Sequence, residues 1–328
     1  MSREFQRSYM SFSFSSRIYY YRYTVALTLL LLLLNAHSQD AADASLAQRL
    51  ITISYDGGNR TSPDLRFGPY FYSHPEPEGI VAEVSNLTIF SQQAQLQAPE
   101  GVLIAEAEGQ REASFEGGVR VARARLTAIG SSLDYSEATG LGVMPERADI
   151  QVLPAREGDD LTEIQADQVT FDVDSDVSLS RGNVSLVSGR QSAEAEELVY
   201  EEGRDLARMR SEGVQVTARR QGDDGELLIT ADILRVLTNE DQLLAIGNVT
   251  IIDGDIESSG DMVFFDDSVS RAEIFGSPAV SVNRAQGVTI SGERLEQLID
   301  LNIVEVLDAS LPSVFEPASF DLSDEDRW

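Results

Sequence analysis

Apolar and polar residues alternate along most of this 328-residue chain, in short segments that begin with a small residue and end at turn residues. Strict alternation places the apolar side chains of an extended segment on one face. The same kind of segment recurs at 130–135, 166–171, 195–200, 231–236, 260–265 and 292–295. No run of twelve or more residues has helical periodicity, and we interpret the ambiguous 295–301 as strand. The pattern therefore predicts an all-β protein.

A second pattern repeats over a longer stretch of the chain. The spacing from Gly117 to Gly182 is the same as that from Gly182 to Gly247, and we call it the long period. Four further sets of identical or similar residues share it: Val119, Val184 and Val249; Val121, Leu186 and Ile251; Ala128, Ala193 and Ser258; Tyr135, Tyr200 and Phe265. A fixed period of this kind indicates supersecondary units that stack and share one continuous core. We therefore predict a repeat protein built from stacked antiparallel strands.

Residues 1–38 have the features of a secretory signal peptide. Four arginines precede the apolar run from Val25 to Leu34, and the small residues Ala36 and Ser38 stand at positions −3 and −1 before Gln39. A basic segment, a short apolar core and a small-residue site are typical of cleaved export signals. We predict cleavage before Gln39, which makes residues 1–38 a signal peptide. The alternative is an uncleaved membrane anchor.

The remaining chain divides into three segments. Residues 39–79 contain one alternating stretch and then many Pro, Gly and aromatic residues, which predicts an N-terminal strand followed by an irregular cap. Residues 80–310 carry the repeated strands. Residues 311–328 combine Pro312 and Pro317 with acidic residues, so we predict a disordered acidic tail.

Charge excludes several kinds of partner. The net charge is −30, and loss of residues 1–38 removes four arginines and one glutamate, which takes it to −33. A nucleic-acid partner requires a basic surface, and so does docking on anionic lipid through a basic patch. The composition therefore argues against nucleic acid as a partner.

The side chains that most catalytic and metal sites require are scarce. The chain has no Cys, and His74 is the only His after the predicted signal peptide, which argues against His/Cys metal sites and Ser–His triads. The acidic stretch 172–176 opens like a calcium-binding loop but lacks the Gly and Glu that such a loop needs at its sixth and twelfth positions. We predict a protein that is not an enzyme and holds no metal or cofactor.

The order of small, apolar and turn residues in the repeats resembles the OstA-like repeat of the LptA/OstA family of periplasmic lipopolysaccharide-transport proteins. The segments that carry this resemblance are 229–232, 245–251, 259–265, 272–280 and 290–293. It is close over residues 164–310 and weaker over 80–160. It implies a β-jellyroll or solenoid of stacked antiparallel strands, open along one side, whose apolar interior holds acyl chains. It also implies a periplasmic location and end-to-end β stacking, either with other OstA-like transport proteins or with itself.

Two sets of apolar residues with the same parity in neighbouring strands are the candidate lining of such a lipid trough. They are Val119, Val121, Leu133, Tyr135, Val184, Leu186, Leu198, Tyr200, Val249, Ile251, Val263 and Phe265. The same residues would equally fill a dry core, so the pattern alone leaves both interpretations open. Five arginines are candidates for meeting an anionic head group or for pairing with the many carboxylates: Arg120, Arg123, Arg125, Arg219 and Arg220.

The sequence thus favours transport of lipopolysaccharide or another envelope lipid between the inner and outer membranes. One alternative is a structural envelope scaffold with a filled β-solenoid core that binds other proteins. A carbohydrate-active β-helix enzyme is a further alternative, because that chemistry needs only carboxylates. Bound acyl chains, a dry interior and a carboxylate-lined groove would distinguish the three.

Overall fold

The computed structural model describes residues 48–222, 225–308, 313 and 315–325. The predicted signal peptide and its cleavage site lie outside the described residues. Within those residues, none of the helical segments has the length and apolar character needed to span a membrane.

The described residues form strands almost throughout, as the alternation predicts. The first twelve are β1 (Thr52–Ser54), β2 (Asn59–Thr61), β3 (Tyr70–Ser73), β4 (Ile80–Val84), β5 (Leu87–Ser91), β6 (Gln93–Gln97), β7 (Glu112–Arg123), β8 (Leu126–Ser136), β9 (Leu141–Met144), β10 (Ala148–Val152), β11 (Thr162–Ala166) and β12 (Gln168–Asp172). The next eleven are β13 (Val177–Ser188), β14 (Gln191–Glu201), β15 (Leu206–Arg210), β16 (Val216–Gln221), β17 (Glu226–Ala231), β18 (Ile233–Leu237), β19 (Gln242–Asp253), β20 (Ile256–Asp266), β21 (Arg271–Asn283), β22 (Val288–Leu298) and β23 (Ile303–Val306). All pairings between them are antiparallel, so the all-β prediction is confirmed.

The long strands bend in the middle and join two facing layers. In β13, residues 177–181 pair with β12, whereas residues 184–188 pair with β11 after a register shift. We call the layer that contains β12 sheet 1; it also contains β2, β3, β6, β9, β15, β18 and β23. Sheet 2 contains β1, β4, β5, β10, β11, β16 and β17, and the strands β7, β8, β13, β14 and β19–β22 contribute one half to each sheet. The result is a folded-over sheet, or β-jellyroll.

The bends of β13 and β19 are each made by a Gly–Asn pair and an aspartate. Gly182 and Gly247 have φ of +74° and +79°, a region that glycine occupies without steric cost. The amides of Asn183 and Asn248 donate to Asp167 and Asp232 at 2.6 and 2.8 Å. Register shifts lie between Arg181 and Val184 and, at the equivalent place of the next unit, between Ile246 and Val249. The long period is therefore confirmed as a structural repeat.

Gly247→Ala should lower the free energy of unfolding by about 1–2 kcal/mol, because a non-Gly residue is strained at this φ. The added methyl group would also collide with the Asp232 carboxylate. Urea unfolding is the measurement. Gly203→Ala is the matched control, since Gly203 lies in a turn with open space around its Cα, and it should change stability by less than about 0.5 kcal/mol. Equal effects of the two substitutions would contradict this account of the bend.

The C-terminal segment differs from the prediction. Residues 315–325 lie on the outer face of sheet 1, where Phe315 stacks on Phe264 with ring centroids 4.4 Å apart and Phe320 is buried. Arg235 donates to the carbonyl of Phe320 at 3.0 Å and to the Asp321 carboxylate at 2.6 Å. The prediction of a disordered tail is therefore wrong for residues 315–325, which pack against sheet 1. Their apolar side chains cover an apolar patch formed by Val177, Leu179, Val199, Leu206, Leu237, Leu244 and Phe264.

Two further boundaries differ. The irregular cap predicted within 39–79 contains β2 and β3, which extend sheet 1, while β1 extends sheet 2 by pairing with β4. Such short strands give too little alternation to stand out among Pro and Gly. The segment interpreted as strand over 295–301 ends as a strand at Leu298, and Ile299–Leu301 form a 3₁₀ turn.

Candidate functional site

The twelve candidate lining residues all come together between the two sheets. Each exposes 2% of its surface or less, and all belong to one apolar cluster that runs through the repeats. Ser178 and Ser180 face the same interior, because they lie opposite Phe171 and Val169 of β12. Within the described residues, their buried hydroxyls have no hydrogen-bond partner. The twelve residues therefore share one interior, as their parity predicts. Their role as the lining of a lipid trough stays a prediction.

The interior is closed in this conformation. The cavity among Leu186, Ala193, Ile229, Leu243 and Phe265 has a volume of about 20 Å³. A space of that size has room for about one water molecule. An acyl chain can therefore occupy this cavity only if the surrounding side chains or the two sheets move apart.

The sheets are joined differently along their two long sides. On one side the bent strands run from sheet 1 into sheet 2. On the opposite side, which we call the mouth, the hairpin turns of the two sheets face each other. At the mouth, arginines of sheet 2 reach across to carboxylates of sheet 1: Arg123 to Glu202, Arg125 to Asp205 and Arg220 to Asp267. Side chains therefore hold the mouth closed.

The Arg123–Glu202 bridge is the most completely bonded of these. Arg123 is 1% exposed, and its Nε donates to both Glu202 oxygens at 3.0 and 3.1 Å. Its Nη atoms also donate to the backbone carbonyls of Asp172, Ser175 and Val177 at 2.7, 3.1 and 3.2 Å. Burial raises the pKa of Glu202, and Arg123 opposes that rise. This bridge is a fixed connection between the sheets.

The mouth is also covered near the start of the described chain. Arg49 forms an ion pair with Asp174, and the buried Glu137 accepts from the backbone N–H of Ile51 at 2.9 Å. Arg111 pairs with Glu137 at 2.6 Å. Residues 49–51 are thereby held across the mouth before the chain enters β1.

The mouth carboxylates themselves follow the repeat. Glu137, Glu202 and Asp267 are spaced by the long period, and each comes shortly after one of the interior aromatics Tyr135, Tyr200 and Phe265. Their spacing was available as a signal, but carboxylates are so common in this chain that sequence reasoning missed it. The arginines that meet them have no such period. Of the five candidate arginines, the other two lie elsewhere: Arg120 pairs with Glu78, and Arg219 pairs with Glu226 within sheet 2.

The interior turns polar toward the C-terminal repeats. Gln297 of sheet 1 is fully buried and accepts from Ser258 of sheet 2 at 2.7 Å. Ser281 Oγ lies 2.9 Å from Ser258 Oγ and can donate a hydrogen bond to it.

Elsewhere, His74 follows β3 and contacts the carbonyl of Asp56. Among the described residues, no cluster of His, Asp and Glu could hold a metal ion.

Comparison with known proteins gives one family. Residues 163–271 match the family of the LptA/(LptD N-terminal domain) LPS transport protein. No curated protein matches the sequence at a significant level. A crystal structure of LptH, the LptA homologous periplasmic component of the lipopolysaccharide transport device from Pseudomonas aeruginosa, is 13% identical and has a TM-score of 0.30. The match covers 32% of this chain and 75% of LptH. That TM-score is too low to support a conclusion. Residues 163–271 are therefore similar to the LptA/LptD N-terminal family, which supports the resemblance of the repeats to LptA/OstA-like proteins.

Proposed function

We propose that this protein takes part in lipopolysaccharide transport by holding acyl chains of lipopolysaccharide, or of a related glycolipid, between its two sheets. The observation that carries the proposal is the family match over residues 163–271, which contain four of the eight strands that bend between the sheets. This family consists of transport proteins rather than enzymes, in agreement with the prediction of a protein that is not an enzyme.

The interior has the chemistry that acyl chains require. An apolar cluster runs through it from β1 to β22, so a hydrocarbon chain would remain shielded from water along the stack. We further propose that the protein works in the periplasm, reached through the predicted signal peptide. There it would pair with other OstA-like proteins or with a second copy through the sheet edges at the two ends of the stack, since unpaired edge strands readily accept another strand.

One observation favours the scaffold alternative. All twelve lining residues are fully packed, and the interior cavity has a volume of only about 20 Å³. A scaffold needs no more than this, whereas a lipid carrier must open. The two functions therefore differ in whether the interior ever accepts a lipid.

Photo-crosslinking to lipopolysaccharide tests this directly. A photoreactive amino acid at Leu243, which faces the interior cavity, should crosslink to lipopolysaccharide when the full chain is expressed in a Gram-negative envelope. The same amino acid at Thr250, which points away from the interior, is the control and should give little product. Crosslinking at neither position, or equal crosslinking at both, would contradict the transport function and favour a scaffold.

A further inference from the structure

The bridges across the mouth are not equally strong. Arg220 is buried and its Nε lies 2.6 Å from Asp267 Oδ1, yet neither atom makes a well-aligned hydrogen bond with any part of the chain that the structure describes. The remaining contacts of Arg220 are single: Ser270 Oγ at 3.1 Å and Asp300 at 3.5 Å. Asp267 also accepts a hydrogen bond from Gln191 at 3.1 Å and lies 3.8 Å from Arg190, which is largely exposed. Charge attraction without aligned donors is weaker than the charge-assisted hydrogen bonds that Arg123 makes. The Arg220 bridge is therefore the weaker of the two connections.

The surroundings of Arg220 lower the cost of breaking that bridge. A cavity of about 510 Å³ lies at the mouth between Arg190, Arg220, Asp253 and Asp267. Water in a cavity of this size can solvate Arg220 and Asp267 once they separate. The Arg123 guanidinium, in contrast, is buried and enclosed by the carbonyls of Asp172, Ser175 and Val177.

The mouth cavity also leads inward. Arg220 and Leu227 line both this cavity and the small interior one, so they form the partition between the two. Beyond them the interior walls are apolar: Leu186, Ala193, Ile229, Val236 and Phe265. A ligand that passes Arg220 therefore meets hydrocarbon surface, which favours an unbranched apolar chain over a polar group.

We propose that the Arg220–Asp267 bridge is the gate through which a single acyl chain enters between the sheets. The inference rests on the proposed function, since it assumes that the interior accepts lipid. Separation of Arg220 from Asp267 joins the mouth cavity to the interior, and Arg123–Glu202 holds the neighbouring part of the mouth closed. Access to the interior is thereby confined to the part of the mouth around β16 and β20.

Crosslinking across the gate tests this inference. The chain has no native Cys, so Arg220→Cys/Asp267→Cys can be linked specifically by a short bis-maleimide. The readout is the uptake rate of pyrene-labelled palmitic acid by the full chain, with its uncharged methyl ester run in parallel. The unlinked double variant should take up both probes about threefold faster than the parent, because a bridge has been removed. The linked form should lose uptake.

Arg219→Cys/Glu226→Cys is the matched control. That pair is 3.2 Å apart within sheet 2, so a link there does not span the mouth and should leave uptake unchanged. Asp267→Asn, which keeps the shape of the side chain, should also speed uptake and serves if the double variant folds poorly. Uptake by the linked form at the unlinked rate would overturn the gate while leaving lipid binding intact. No uptake by the parent or by any variant would overturn the gate and the proposed function together.

Discussion

Val249→Asp is expected to unfold the repeat that contains it. Val249 is 1% exposed and packs between the two sheets, so its replacement would put a carboxylate among hydrocarbon side chains without a partner. Substitutions that bury an unpaired charge are among the few that cost more than about 4 kcal/mol. Because whole domains are stable by only about 5–15 kcal/mol, thermal melting should show a large fall in Tm or a loss of the cooperative transition.

Thr250→Asp is the control for this experiment. Thr250 is the next residue of β19 and points to the opposite face of the sheet, where the new carboxylate can reach water. Its effect should remain within about 1 kcal/mol, the span of strand propensities. A folded Val249→Asp protein with reduced lipid crosslinking would mean that the interior is hydrated and open in solution.

The strands and the interior could be predicted from the sequence because both follow from local spacing. Alternation decides which face Val119 or Leu133 occupies, and the long period then brings distant copies of that face together. Neither step needs knowledge of which loops meet. The agreement between the predicted lining and the buried cluster therefore reflects a repeat in which each unit has the same geometry.

The sequence contains a signal for the apolar patch on the outer face of sheet 1. Residues 243–246 and 262–265 are continuous apolar runs rather than alternating ones, which indicates that both faces of a strand are covered. Leu244, Ile246, Met262 and Phe264 are the members of these runs that face outward. What covers them could not be predicted, because Phe320 comes after β21–β23, in a tail whose Pro and acidic residues show no alternation.

The bridges of the mouth could not be predicted for a different reason. Arg123 and Glu202 are 79 residues apart, a separation that matches no period of the sequence. Their meeting depends on the way that β7 and the turn after β14 approach across the mouth, which no local pattern encodes. Any of the 25 basic residues could in principle have faced any of the 55 acidic ones.

Replacement of Arg123 should lower the free energy of unfolding by an amount that depends on pH. Arg123→Met leaves the Glu202 carboxylate buried and three turn carbonyls without their donor, which should lower the free energy of unfolding by about 3–5 kcal/mol at neutral pH. Arg219→Met is the control, since the Arg219–Glu226 pair is largely exposed and such pairs contribute about 0–1 kcal/mol. Urea unfolding of both variants measures the difference.

The pH dependence identifies the group responsible. Burial already raises the pKa of Glu202 in the folded protein, and loss of Arg123 removes the larger of the two charges that oppose this rise, the other being Arg125. An acid whose pKa is higher in the folded state than in the unfolded state favours folding when protonated, so its penalty grows as the pH rises through the unfolded pKa toward the folded one. The stability that Arg123→Met lacks relative to the parent should therefore shrink as the pH falls from neutral toward the ordinary pKa of a glutamate.

The double variant Arg123→Met/Glu202→Gln is the control. Its loss of stability should not depend on pH in this way, and it should be more stable at neutral pH than Arg123→Met alone, because no buried carboxylate remains. A deficit of Arg123→Met that stays constant with pH would mean that the lost carbonyl contacts, rather than the stranded carboxylate, account for the cost.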